Sequence, residues 1–147
     1  MLIRHADNYR WEEIPVQGYK GTEGPKNFKG VTRQVLFEGA YDLPIHLRYF
    51  ELEAGGYSSL EYHQHAHLVF IERGEADAIL GDAVHHVAER DVLVVPPNTW
   101  HQFQANYGQP MGFLCTVNQD RDKPTLPTEG ELEQLKQDPE IGPYIKG

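Results

Sequence analysis

From Val31 to about Val117 short apolar or alternating runs are separated by Gly, Asp, Pro and Asn, the pattern of many short strands. The runs fall at about 33–38, 45–53, 57–62, 67–72, 75–80, 83–88, 91–95, 101–105 and 111–117. Between Ile45 and Val117 no segment keeps a 3.6-residue period beyond two turns, so the pattern predicts an all-β sandwich or barrel. Ahead of it, residues 1–16 carry scattered apolar anchors (Leu2, Ile3, Trp11, Ile14, Val16) without a period. A stretch with Gly18, Gly21, Gly24, Pro25 and Gly30 follows, which predicts an arm and then a mobile loop. After Asn118 the chain turns polar, with Pro124 and Pro127, and Thr128 precedes Glu131 by three positions in a capping-box pattern. This predicts a short helix over about 129–137 with Leu132 and Leu135 on one face and Pro139 beyond its end. Ile141, Tyr144 and Ile145 then continue as a helical turn or pack as an extended tail. The chain divides into an arm and loop at 1–30, a barrel at 31–118 and a tail at 119–147.

Its 147 residues fit one domain. A chain of that size buries enough surface to fold without disulfides or structural zinc, so a metal here would serve function. Thirteen basic residues against 22 acidic ones give a net charge of −9, and no Lys/Arg cluster occurs, which argues against nucleic-acid or anionic-membrane partners. No apolar run approaches the ~20 residues of a membrane helix. The start Met1-Leu2-Ile3-Arg4-His5 lacks the apolar core of a signal peptide, and the single cysteine, Cys115, cannot form an internal disulfide. A cytoplasmic protein is expected.

Candidate chemistry lies in the eight histidines. His63, His65 and His67 alternate with Gln64 and Ala66, so on a strand all three imidazoles face one side. Burying them without partners is costly, and a divalent cation would satisfy them together. In a straight strand His63 and His67 stand about 13 Å apart, too far to share one ion, so a bulge or bend near Ala66 is required.

Two segments resemble the motifs of the cupin family. The first reads Gly56, six residues, His63-Gln64-His65, Ala66, His67, six residues, Gly74; counted back from Gly74, His67 occupies the family's metal-binding glutamate position. The second reads Arg90-Asp91, four residues, Pro96-Pro97-Asn98-Thr99-Trp100-His101, with Asn106 five residues on. The resemblance implies a double-stranded β-helix, or jelly-roll barrel, holding one divalent metal on His63, His65, His67 and His101. Such a neutral imidazole set leaves the metal its full charge and suits Fe, Mn, Ni, Cu or Zn. Asn98 replaces a family glycine mildly, since asparagine tolerates left-handed angles, whereas Arg90 replaces another and implies a different turn.

Glu72 has the wrong spacing to Gly74 for a ligand, and His46, His85 and His86 fall outside both motifs, at the surface or core edge. Phe103, two residues after His101, shares its inward face and is expected in the pocket wall, with Tyr49 and Phe113, and also Arg48 and Trp100, as further candidates. Glu61 shares the face of His63 if the strand is straight, and Cys115 reads as a small buried side chain. The expected function is a small metalloenzyme acting on an oxygenated small molecule, with dioxygenase-like oxidoreductase chemistry favoured. The alternative is a non-catalytic ligand-binding or structural module, which a cavity sealed by large side chains would favour. The resemblance also implies a homodimer, with the arm at 1–16 exchanged across its interface.

Overall fold

The structure, a computed structural model, describes residues 1–20 and 27–147. Among them nine antiparallel strands run β1 Gln17–Gly18, β2 Lys29–Phe37, β3 Ile45–Tyr57, β4 His67–Arg73, β5 Glu75–Leu80, β6 Ala83–Ala88, β7 Val92–Val95, β8 His101–Gln104 and β9 Met111–Asn118. They hydrogen-bond in the order β6-β5-β8-β3-β9-β4-β7, with β2 on β3 and β1 on β2, and the sheet curls into a jelly-roll barrel. The 13-residue β3 is the hub, because it pairs with β2, with β9 and, at Tyr57, with β8.

Strict alternation sets the two faces. In β4, His67, Val69 and Ile71 are buried while Leu68, Phe70 and Glu72 are exposed. The register carries this across the sheet: Val69 pairs with Cys115, which pairs with Arg48, and Ile71 pairs with Phe113, which pairs with Phe50. These side chains line the barrel interior, where Val69, Ile71, Val95, Phe103, Met111 and Phe113 form part of one apolar core. Each fully buried side chain of this kind contributes about 1.5–3 kcal/mol.

A second cluster forms where Leu60, Ile79, Ile141 and Ile145 meet Trp100, Leu132 and Leu135. Helix α1, Glu129–Lys136, docks there behind a complete capping box between Thr128 and Glu131, and a 3-10 turn at Gly142–Tyr144 follows. Gln102, fully buried, donates to the Lys146 carbonyl at 2.9 Å and accepts from its N–H at 3.0 Å, fastening the tail to β8.

Several expectations change. The run at 57–62 is not a strand: β3 continues to Tyr57, and beyond it only isolated bridges occur, Glu61 to His101 and Tyr62 to Thr125. Of the expected mobile loop, Gly18 lies in β1 and Gly30 in β2, while Gly21, Gly24 and Pro25 lie outside the described residues. Arg90 takes the left-handed angle itself, at φ 75°, as does Asn98 at 55°, so the turn keeps a glycine-like conformation without glycine. The arm folds back on its own sheet: Tyr9 and Trp11 pack at 5.9 and 5.0 Å from Tyr49, and Gln34 donates to the Tyr9 carbonyl. No described helix is long and apolar enough to cross a membrane.

Candidate functional site

The segment between β3 and β4 bends at Gln64 and His65 rather than running straight, which turns His63 back toward His67 at the head of β4. His101 reaches the same point from the first residue of β8. The ligating nitrogens of His63, His67 and His101 thus lie within 4.8 Å of one another, all three residues being buried.

Each imidazole is held through its other nitrogen. His63 Nδ1–H donates to the His65 carbonyl at 2.6 Å and His101 Nδ1–H to the Thr99 carbonyl at 2.9 Å. His67 Nδ1 lies 3.0 Å from Cys115 Sγ, while its Nε2 is buried with no partner among the described residues. Such an orphan costs about 1–3 kcal/mol. Burial pushes His67 far below the ordinary imidazole value, helped by the neighbouring imidazoles, and pulls His101 down to about 4. Imidazoles with Nδ1 committed and the other nitrogens brought together fit a divalent metal, and the donor set suits a transition metal.

His65 stands outside this group, so three of the four histidines expected as ligands come together. Its ring stacks on His63 at 3.7 Å, and its Nδ1–H donates to Asp122 Oδ1 at 2.8 Å. Asp122 also accepts from the backbone N–H groups of Gln64 and His65. The Gln64 amide first, and then His65, hold its carboxyl well below the usual range.

The trio opens into a cavity of about 910 Å³. Phe103 and Phe113 lie in its wall, as does Arg48. Tyr49 does not: pairing puts it on the opposite face of β3 from Arg48 and Phe50, where its hydroxyl donates to Glu51 and the arm covers its ring. Phe50 occupies the place expected for it. Trp100 also turns away, packing edge-on against Tyr62 at 4.6 Å. Glu72 is exposed on β4, and His86 pairs with Glu75 on the surface.

Further polar groups complete the cavity, Glu61 among them, on the side of His63 as a straight strand would put it. Lys20 Nζ contacts Glu61 at 2.7 Å and Ser59 at 2.8 Å. Burial alone would raise the Glu61 carboxyl, but Lys20 and Ser59 hold it below its ordinary value. Cys115, almost inaccessible, faces inward beside His67, and Arg48 donates to its sulfur at 3.3 Å. Burial raises this thiol, with Arg48 opposing. Alternation from Phe113 was the signal for Cys115, two residues on in the same strand. No local pattern marks Asp122 or Arg121, which the chain brings back over the cavity after β9.

Comparison with known proteins places these motifs. The cupin-2 family model, a cupin domain, matches residues 48–117. The 1-methylthio-D-xylulose 5-phosphate methylsulfurylase of Rhodospirillum rubrum is 48% identical over 139 residues, covering 95% of this chain and 88% of that protein. The crystal structure of a cupin 2 conserved barrel domain protein from Rhodopseudomonas palustris is 42% identical and superposes with a TM-score of 0.92, covering 100% of both chains. A cupin-2 domain structure from Rhodospirillum rubrum, 45% identical, gives 0.86 over 96% of this chain and 93% of that one. With its barrel, its two histidine motifs and relatives this similar along their length, the chain belongs to the cupin family.

Proposed function

We propose that this protein is a metal-dependent enzyme that transfers the methylthio group of a phosphorylated 1-methylthio-ketose to a thiol. The observation that carries the reading is a thiol, Cys115, inside the same cavity as the three-histidine group and in contact with both His67 and Arg48. The named activity of the Rhodospirillum rubrum relative, at 48% identity, supports the substrate class.

A divalent cation on His63, His67 and His101 would supply Lewis-acid stabilisation to oxygens of the substrate. Cys115 acts as the sulfur acceptor. With His67 Nε2 turned to the cluster, its Nδ1–H and Arg48 Nη2 both donate to Sγ, and Arg48 opposes the burial that raises the thiol. Sγ bonds to the methylthio sulfur as the C1–S bond breaks; that bond's electron pair stays on C1, spreads onto the C2 carbonyl oxygen, and C1 takes up a proton. The products are a 1-deoxy-ketose phosphate and a methyl disulfide on Cys115, from which a small-molecule thiol removes the methylthio group by exchange. The phenyl rings of Phe50, Phe103 and Phe113 give the same cavity an apolar wall. A thiol used this way suits a reducing compartment, in line with the cytoplasmic expectation.

The sequence favoured dioxygen chemistry; the relative's activity and the cavity thiol move the proposal to C–S cleavage. The test incubates metal-loaded protein with 1-methylthio-D-xylulose 5-phosphate and a small-molecule thiol and follows the S-methyl protons by NMR. The S-methyl resonance should move to that of a mixed disulfide while a methyl-ketone signal grows, and Cys115→Ser should lose turnover but keep its metal. Substrate left intact would contradict the reading, and dioxygen uptake in its place would restore the oxidoreductase one.

A further inference from the structure

The charge of the cavity runs against that of the chain, which is −9 overall. Its cationic lining comprises Lys20, Arg33, Arg48, Arg121 and Lys123, against two carboxylates, Glu61 and Asp122. Both carboxylates are occupied, Glu61 by Lys20 and Asp122 by His65 and two backbone amides. Arg33, Arg48 and Arg121 form no ion pair among the described residues.

They are also placed together. Arg48 sits on the inner face of β3, cross-strand from Cys115, and Arg33 comes from the neighbouring β2, where it pairs with Phe50. Arg121 arrives from the segment after β9, its Nη1 donating to the carbonyls of Asn118 and Gln119 and meeting His46 at 3.2 Å. Burial, then Arg48, and to a lesser degree Arg33, depress Arg121, as expected of guanidinium groups sharing one space. Nε of Arg33 and Nε of Arg48 are buried donors with no acceptor among the described residues. Clustered guanidinium groups with unused donors call for an anion that offers several acceptor oxygens, and a phosphate monoester matches the planar forks.

We propose that Arg33, Arg48 and Arg121 form the clamp for the phosphate group of the substrate, a role that rests on the phosphorylated-ketose reading above. Arg48 would link the two ends of the site, since it also contacts Cys115. The clamp holds the phosphate end on the β2–β3 side, so that the far end of the ketose reaches Cys115 and the histidines, and it selects phosphorylated over neutral sugars.

The experiment titrates inorganic phosphate into metal-loaded protein by calorimetry, for wild type, Arg121→Gln, Arg33→Gln, Arg121→Lys and the exposed-site control Arg90→Gln. Losing one charge-assisted contact should weaken phosphate binding on the order of tenfold or more in Arg121→Gln and Arg33→Gln. Arg121→Lys should lose less, and Arg90→Gln should match wild type, with melting temperatures confirming that all fold. Phosphate affinity unchanged in both glutamine variants would overturn the clamp, as would binding that vanishes on removing the metal but not the arginines. Because the titration needs no turnover, it stands apart from the activity assay: methylthio transfer with arginine-independent phosphate binding sinks the clamp alone. Arginine-dependent phosphate binding without transfer sinks the transfer alone.

Discussion

At the scale of single residues, the site is organised by what each side chain does with its second polar atom. The three clustered imidazoles are oriented by acceptors on Nδ1, two of them backbone carbonyls and the third the sulfur of Cys115. Asp122 does the corresponding work for His65 and for the bend that brings His63 round. A carboxyl held below its ordinary value of 3.8 stabilises the native state above that pH, and the stabilisation is lost as pH falls further. The expected outcome is a midpoint for Asp122 below 3.8 in a carbon-detected NMR titration, with Asp122→Asn removing the acid-dependent part of the melting curve there; a midpoint at or above 3.8 would contradict it. The alternating histidines were legible because identical chemistry recurred at strand spacing. Cys115 could be read only as a small buried side chain and Arg48 only as a pocket candidate, while Arg33 and Arg121 carried no signal, since a lone thiol or a dispersed guanidinium acquires meaning only once the register shows what it faces.

At the scale of elements, most strands fall where the alternation puts them, and β5 and β6 match residue for residue. The failures have physical causes. Residues 58–62 read as a strand because Leu60 and Tyr62 alternate with polar neighbours, yet they form only isolated bridges, and Leu60 packs with the tail's Ile141 and Ile145. Tyr49 was assigned to the pocket because parity along a strand is undefined until one residue is anchored; pairing with Leu114 fixes it on the outer face. There its phenol fills the space over Gly112, where a Cβ would collide with the ring. Gly112→Ala is therefore expected to destabilise by about 1–3 kcal/mol in chemical denaturation, as overpacking does, and an unchanged midpoint would count against this packing. Arg90, at φ 75°, gives the opposite case. Arg90→Gly should stabilise by about 1 kcal/mol, and a loss of stability would show that the arginine side chain offsets its backbone strain.

At the scale of the whole molecule, the fold was readable from two motifs. Within one chain the arm lies on its own sheet, where Tyr9 and Trp11 cover Tyr49. The face left open is elsewhere: Leu68 pairs with Val94 and Phe70 with Val92, and these four stay 50%, 54%, 37% and 61% exposed at the β4–β7 end of the sheet. A second copy packing on this apolar face is the homodimer we expect. Sedimentation should show a dimer at micromolar concentration that Leu68→Lys with Val94→Lys converts to monomer; a monomeric wild type would refute it. Every functional reading nevertheless depends on the three imidazoles acting as one site. The most direct test counts metal by native mass spectrometry after reconstitution with manganese, iron or zinc. Near one equivalent in wild type, lost in His67→Ala and in His101→Ala and retained in His65→Ala, is the expected result. A wild-type protein that takes up none of these metals would contradict it.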